Sequence, residues 1–234
     1  MLFGWFMFDW TILIVMPAML FAMWAQLKVN STFEKYSKTP TRSGMTAAQA
    51  ARHMLDANGL RDVKVTKTHG HLSDHYNPKD RTLYLSESVH DARSAAAIGV
   101  ACHEAGHALQ HAKKYAPLNL RMSMVPVCNI GSGLAMPLFI VGLFFASDFG
   151  YIFMLAGIAL FSLATLFQLV TLPVEFDASS RALEGMASCG ILAADEIGSA
   201  KKVLSAAAMT YVAALATSLL SLLRLILIAN SRRD

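Results

Sequence analysis

Hydrophobic residues along this chain fall into two kinds of run. Four stretches, Trp5 to Gln26, Val127 to Ser147, Tyr151 to Leu172 and Ala206 to Ile228, are almost continuously apolar. Each approaches or exceeds the ~20 residues that a helix needs to cross a bilayer. Elsewhere the apolar positions become periodic. In "TAAQAARHML" alanines, Met54 and Leu55 recur at helical spacing, which predicts a helix from about Thr46 to the Asn58-Gly59 stop. "DVKVTKT" and "RTLYLS" alternate β-branched or aromatic residues with polar ones and predict two short strands, separated by "HGHLSDHYNPKD" with its turn-forming Asn77-Pro78. "SAAAIGVACHEAGHALQHAKK" is alanine-rich, free of proline and closed by lysines, as a helix C-terminus prefers. After the third apolar stretch, "PVEFDASSRALEGMAS" predicts a new helix with Pro173 in its first turn and Cys189-Gly190 as its break; another follows from about Ala193. The expected fold is mainly α: a multi-span helical membrane protein with a small α+β subdomain on one side of the membrane.

Composition supports lipid as solvent for part of the chain, since 55% of its 234 residues are hydrophobic and only 15% charged. Charge then orients the spans. Of the 20 Lys and Arg, fourteen lie between Lys28 and Arg121 and three more at Arg181, Lys201 and Lys202, while Arg224, Arg232 and Arg233 end the chain. By the positive-inside rule those first seventeen mark the cytoplasmic loops. Residues 1–27 are then a membrane anchor, retained because Asp9 and large flanking residues replace the basic start and small-residue cleavage site of a signal peptide. Residues 28–122 form a cytoplasmic region, 123–172 a transmembrane hairpin, 173–205 cytoplasmic helices, and 206–234 a fourth span with its tail. Arg224 falls inside that span, close enough to its end to snorkel. The net charge of +4 follows from the cytoplasmic excess, for which anionic lipid headgroups suffice as partners, and no nucleic-acid partner is implied. Cys102, Cys128 and Cys189 form no spacing motif and read as small buried hydrophobes.

The chemistry lies in "HEAGHALQH", His103 to His111. On a helix, His103 and His107 project from one face a turn apart, so both can reach one Zn²⁺, with Glu104 beside them to take a proton from water. Gly106 costs about 1 kcal/mol of helix propensity relative to alanine, tolerable if another backbone passes close there. His111 lies about 12 Å along the axis from His103, too far for all three histidines to share a tetrahedral ion, and is expected to pack or to support a ligand. A metzincin histidine is excluded, because Lys113 stands at its position. Glu175, the first carboxylate after the hairpin, is the candidate third ligand, although it and Asp177 also suit a helix N-terminus. Two histidines and a carboxylate leave a fourth position for water.

Taken together, "GHLSDHYNPKDRTLYLS", "HEAGHALQH" and "FQLVTLPVEFDASSRAL" resemble the YugP-type bacterial membrane zinc metallopeptidases, neutral zinc metallopeptidase family 2, over nearly the whole chain. That family is similar in turn to HtpX-type and CAAX prenyl proteases, whose third ligand sits in E-x-x-A-D. The matching run here is Glu175 to Ser179, with Ser179 at the aspartate position, so Asp177 or Ser179 becomes the candidate to orient a ligating histidine. The resemblance implies a zincin-like cytoplasmic subdomain in a bacterial inner membrane and peptide hydrolysis of the gluzincin type. Its substrates would be peptides or proteins, membrane proteins among them. "RTLYLS" is a candidate edge strand to hold an extended peptide, and Arg181, His75 and Tyr76 are candidate oxyanion stabilisers. Competing readings are a zinc-binding scaffold or transporter, and a di-iron site built from Glu87 to His90 with Glu104 to His107. The latter needs its motifs on facing helices. Oligomeric state is not encoded in any of these features.

Overall fold

The computed structural model of the chain describes residues 10–70, 73–145 and 147–232. Trp5 to Asp9 of the first predicted span, His71, Leu72 and Arg233 lie outside the described residues. Six helices and a three-stranded sheet account for the described chain. In order they are α1 (Ile12–Ser37), α2 (Ala47–Ala57), β1 (Lys64–Thr68), β2 (His75–Asn77), β3 (Thr82–Ser86), α3 (Ala95–Ala112), α4 (Ala116–Phe144), α5 (Asp148–Ser188) and α6 (Ala194–Asn230). Helices α1, α4, α5 and α6 are each long and apolar enough to cross a membrane.

The chain divides into two compact units. The first comprises Met1–Trp24, Leu120–Leu172 and Thr210–Asp234. Here α1 and α6 run antiparallel: Arg224 Nε donates to Thr11 Oγ1 at 3.1 Å, and Thr217 Oγ1 donates to Ala18 O at 3.4 Å. α4 and α5 form the expected hairpin. A methyl group on Gly157 would lie 2.6 Å from Ala135 O, so the two backbones touch where that glycine sits. Phe139, Leu143, Met154, Leu225 and Ile228 fill the space between α4, α5 and α6.

The second unit comprises Ala25–Asn119 and Pro173–Met209. Thr46 caps α2 through a capping box, its Oγ1 accepting from Gln49 N while Gln49 Oε1 accepts from Thr46 N. The apolar face of α2 (Ala50, Ala51, Met54, Leu55) packs with Leu83 and Leu85 of β3, with α3, and with Ala182 and Met186 near the end of α5. Arg52 ties α2 to the turn before β1 by donating to the carbonyls of Val63 and Leu60.

Three expectations require correction. No helix begins at Pro173: α5 runs unbroken from Asp148 to Ser188 with Pro173 inside it. The proline removes a single N–H from the ladder, a loss that long apolar helices tolerate where neighbouring groups compensate. The segment between the two predicted strands is not all turn, because it contains β2. And "RTLYLS" is no edge: the strand order is β1-β3-β2, with β3 in the middle, parallel to β1 and antiparallel to β2. The break at Cys189-Gly190 is present. Gly190 adopts φ +62° there and Ile191 N donates back to Met186 O, closing the helix in the left-handed conformation glycine favours.

Candidate metal centre

α3 presents its histidines as the four-residue spacing requires. Ser94 caps the helix, its Oγ accepting from Ala97 N, and thirteen of its eighteen residues are buried, so His103 and His107 emerge from a rigid element. The approach of α5 is set by Gly106. A methyl there would lie 2.5 Å from Ala178 O, so only glycine lets the second helix come this close.

That approach brings Glu175 onto the histidines. Its Oε2 lies 3.2 Å from His103 Nε2 and 3.6 Å from His107 Nε2. Ligand atoms held ~2.1 Å from a tetrahedral zinc are separated by about 3.4 Å, so both distances from Glu175 suit such an ion. Among the described residues, His103, His107 and Glu175 are the one group of three or more His, Cys, Asp or Glu side chains whose ligand atoms converge. Glu175 is almost wholly buried, at 2% exposure. It lies beyond the apolar stretch of α5 that ends at Leu172. Burial works against its charge, yet the hydrogen bonds and charges of the two imidazoles outweigh this and hold its carboxyl far below the usual carboxylate range. For His107, burial again opposes charge, but Glu175 and Glu104 prevail and raise the ring above its ordinary pKa.

The far side of each ring is engaged too. His103 Nδ1 is 3.1 Å from Ser179 Oγ. His107 Nδ1 is 2.9 Å from Gln110 Oε1, and Gln110 Nε2 donates to Val174 O and to Asp177 Oδ2, each at 2.8 Å. Asp177 accepts from Arg181 Nε at 2.6 Å. Burial disfavours the charge on Asp177, but the Arg181 and Gln110 hydrogen bonds hold its carboxyl below the ordinary value. Glu104 stays outside the converging group, its Oε2 accepting from the backbone N–H of Tyr76 on β2 at 2.9 Å.

Comparison with known proteins follows the same residues. The family described as "Putative neutral zinc metallopeptidase" matches residues 11–230. The chain belongs to this zinc metallopeptidase family. A curated relative, "Putative membrane protease YugP" of Bacillus subtilis (strain 168), is 49% identical over 223 residues, spanning 95% of this chain and 98% of the relative. No solved structure matches.

Within this metallopeptidase-family chain the remaining candidates are dispersed. His111 Nδ1 is 2.9 Å from Tyr76 Oη, so the third histidine of "HEAGHALQH" supports β2 and is not part of the converging group. Arg181 is committed to Asp177 and lies over the Tyr115 ring. His75 stacks on Tyr84 and is outward-facing. Glu87 and His90, half of the di-iron alternative, pair with His69 and Asp91. Gln110 was not anticipated from the sequence. Its signal was legible: an amide three residues after His107, in a helix whose other residues are small, apolar or already assigned.

Proposed function

We propose that this protein is a zinc-dependent membrane peptidase that hydrolyses peptide bonds in the gluzincin manner, with His103, His107 and Glu175 as ligands and Glu104 as general base. The observation that carries the reading is the convergence of three ligand atoms from α3 and α5, all within 4.8 Å of one another, with a second carboxylate, Glu104, next to His103 on α3. When bound, zinc supplies a Lewis acid that acidifies water and polarises a peptide carbonyl. The chain supplies the rest. The Tyr76 N–H holds one oxygen of Glu104 and so orients the carboxylate. Glu104 takes a proton from the attacking water and returns it to the leaving amine. Ser179 and Gln110 fix the rings of His103 and His107.

The substrate is a peptide or protein held extended, and membrane proteins are within reach of a chain with four spans. Because β2 is an outer strand and carries Tyr76, a peptide lying along it would run beside Glu104. The seventeen basic residues of the loops favour an active site on the cytoplasmic side of the bacterial inner membrane.

Glu104→Gln tests the chemistry. The amide cannot accept the proton, so hydrolysis of a peptide library should be lost while stoichiometric zinc and the thermal melt are kept. Persisting peptidase activity in the zinc-loaded variant would remove Glu104 from its role. A cytoplasm-only fluorescent reporter fused after Gly190 should glow and one fused after residue 234 should not. The reverse pattern would put the active site on the outer face.

A further inference from the structure

We infer that Gln110 is the positioning residue that presents His107 to the cation, itself held in place by Asp177 and Arg181. This rests on the zinc reading above and deepens it. Gln110 is fully buried, and its amide has a single chemically sound orientation. The nitrogen must face Val174 O and an Asp177 oxygen, because neither has a proton to give and both lie 2.8 Å away. The Gln110 oxygen therefore faces His107 Nδ1 at 2.9 Å and can only accept. Nδ1 must then carry the ring proton. In the neutral imidazole this leaves the lone pair on Nε2, the nitrogen that faces Glu175.

Two further contacts make the constraint rigid. Arg181 donates to both oxygens of Asp177, at 2.6 and 3.3 Å, which keeps that carboxylate an acceptor pointed at the amide. Val174 O belongs to the residue directly before Glu175, so the amide that orients His107 also ties α3 to the backbone that carries the third ligand. His103 has no equivalent. Its partner is the Ser179 hydroxyl, which can donate or accept and so leaves the tautomer of that ring unspecified. Of the two supports, the Gln110 contact is the directional one.

The test uses the full-length protein in detergent, with zinc affinity measured by chelator competition and the ring nitrogens of ¹⁵N-labelled histidine followed by NMR. Gln110→Leu should weaken zinc binding about 10- to 100-fold, and the His107 Nδ1–H resonance should lose its protection from solvent exchange. Gln110→Glu keeps an acceptor for His107 but sets a second carboxylate against Asp177, so it should bind zinc poorly. The double variant Gln110→Glu/Asp177→Asn returns a donor between the two positions and should recover part of the loss. That comparison decides the matter even if Gln110→Leu fails to fold. Wild-type zinc affinity and an unaltered His107 resonance in folded Gln110→Leu would overturn the inference, as would a double variant no better than Gln110→Glu. If His103→Ala binds zinc as tightly as the wild type, the zinc reading itself fails and this inference falls with it.

Discussion

In the unit that carries most of the apolar stretches, Ile130, Phe149 and Ile152 keep 60–68% of their surface uncovered, whereas in the unit that carries His103, Glu104, His107 and Glu175 the side chains of Leu83, Leu85 and Ile98 keep none. The same residue types are turned outward in one and inward in the other. Hydrophobic side chains gain by leaving water, so the first arrangement suits an apolar surrounding such as lipid. Polar groups divide the other way. The second unit buries a carboxylate and an amide, Glu175 and Gln110, and supplies each with partners. The first buries Thr165, whose hydroxyl donates to its own helix and meets Ser218 at 2.7 Å. One unit depends on a geometry of few polar atoms, the other on a solvent that accepts many apolar ones.

The contrast generates three tests, of which the largest concerns the buried carboxylate. Glu175→Ala removes one of three proposed ligands and leaves two imidazoles without their counter-charge, so zinc affinity should fall by more than the ~100-fold typical of losing a supporting contact. His111→Ala, on the same helix as the histidines but bonded to Tyr76, should leave zinc stoichiometric. Tight zinc binding after Glu175→Ala, or its loss after His111→Ala, would mean that the third ligand has been misassigned.

Next in size are two glycines at which backbones touch, Gly106 in the second unit and Gly157 in the first. Gly106→Ala would gain about 1 kcal/mol of helix propensity. The new methyl, however, meets the immovable carbonyl of Ala178 at 2.5 Å, and overpacking of this kind costs roughly 1–3 kcal/mol. The net effect should be destabilisation together with weaker zinc binding, because α5 must retreat from α3. Gly157→Ala meets Ala135 O at 2.6 Å and should lower the thermal melt similarly, yet zinc affinity should be unchanged. Gly185→Ala serves as the mild case, since its methyl meets only the end of the flexible Met54 side chain. Equal losses of zinc from Gly106→Ala and Gly157→Ala would erase the distinction between the two units.

What could be read from the sequence follows this division. The four spans, the capped helix α2, strands β1 and β3 and helix α3 were legible because each advertises itself by a local period or by sheer length. The convergence of Glu175 on the histidines was legible for a simpler reason: the hairpin of α4 and α5 returns the chain. The misreadings are non-local. Three residues, His75 to Asn77, are too few to show alternation, and they are a strand only because β3 pairs with them. That β3 lies between its neighbours depends on a parallel pairing with β1 across seventeen intervening positions, which no local period reveals. Pro173 has the local signature of a helix start, and the helix overrides it because α5 is already formed on both sides.

The smallest expected effect makes the comparison sharpest, because the chemical change is identical in both units. Ile98→Val deletes one methyl group from a side chain that is 0% exposed within the core formed by α2, β3 and α3. Close-packed surroundings relax only in part around such a deletion, so it should cost about 0.5–1.5 kcal/mol. Ile130→Val deletes the same methyl from a side chain that is 68% exposed on α4. Lipid or detergent chains flow into the space, no cavity remains, and the change should stay within about 0.5 kcal/mol. Thermal melts of the two variants in one detergent measure the difference directly. A loss at Ile130 as large as that at Ile98 would mean that Ile130 is packed against protein, and the outward-facing apolar surface of the first unit would then be a contact between chains and not a face turned to lipid.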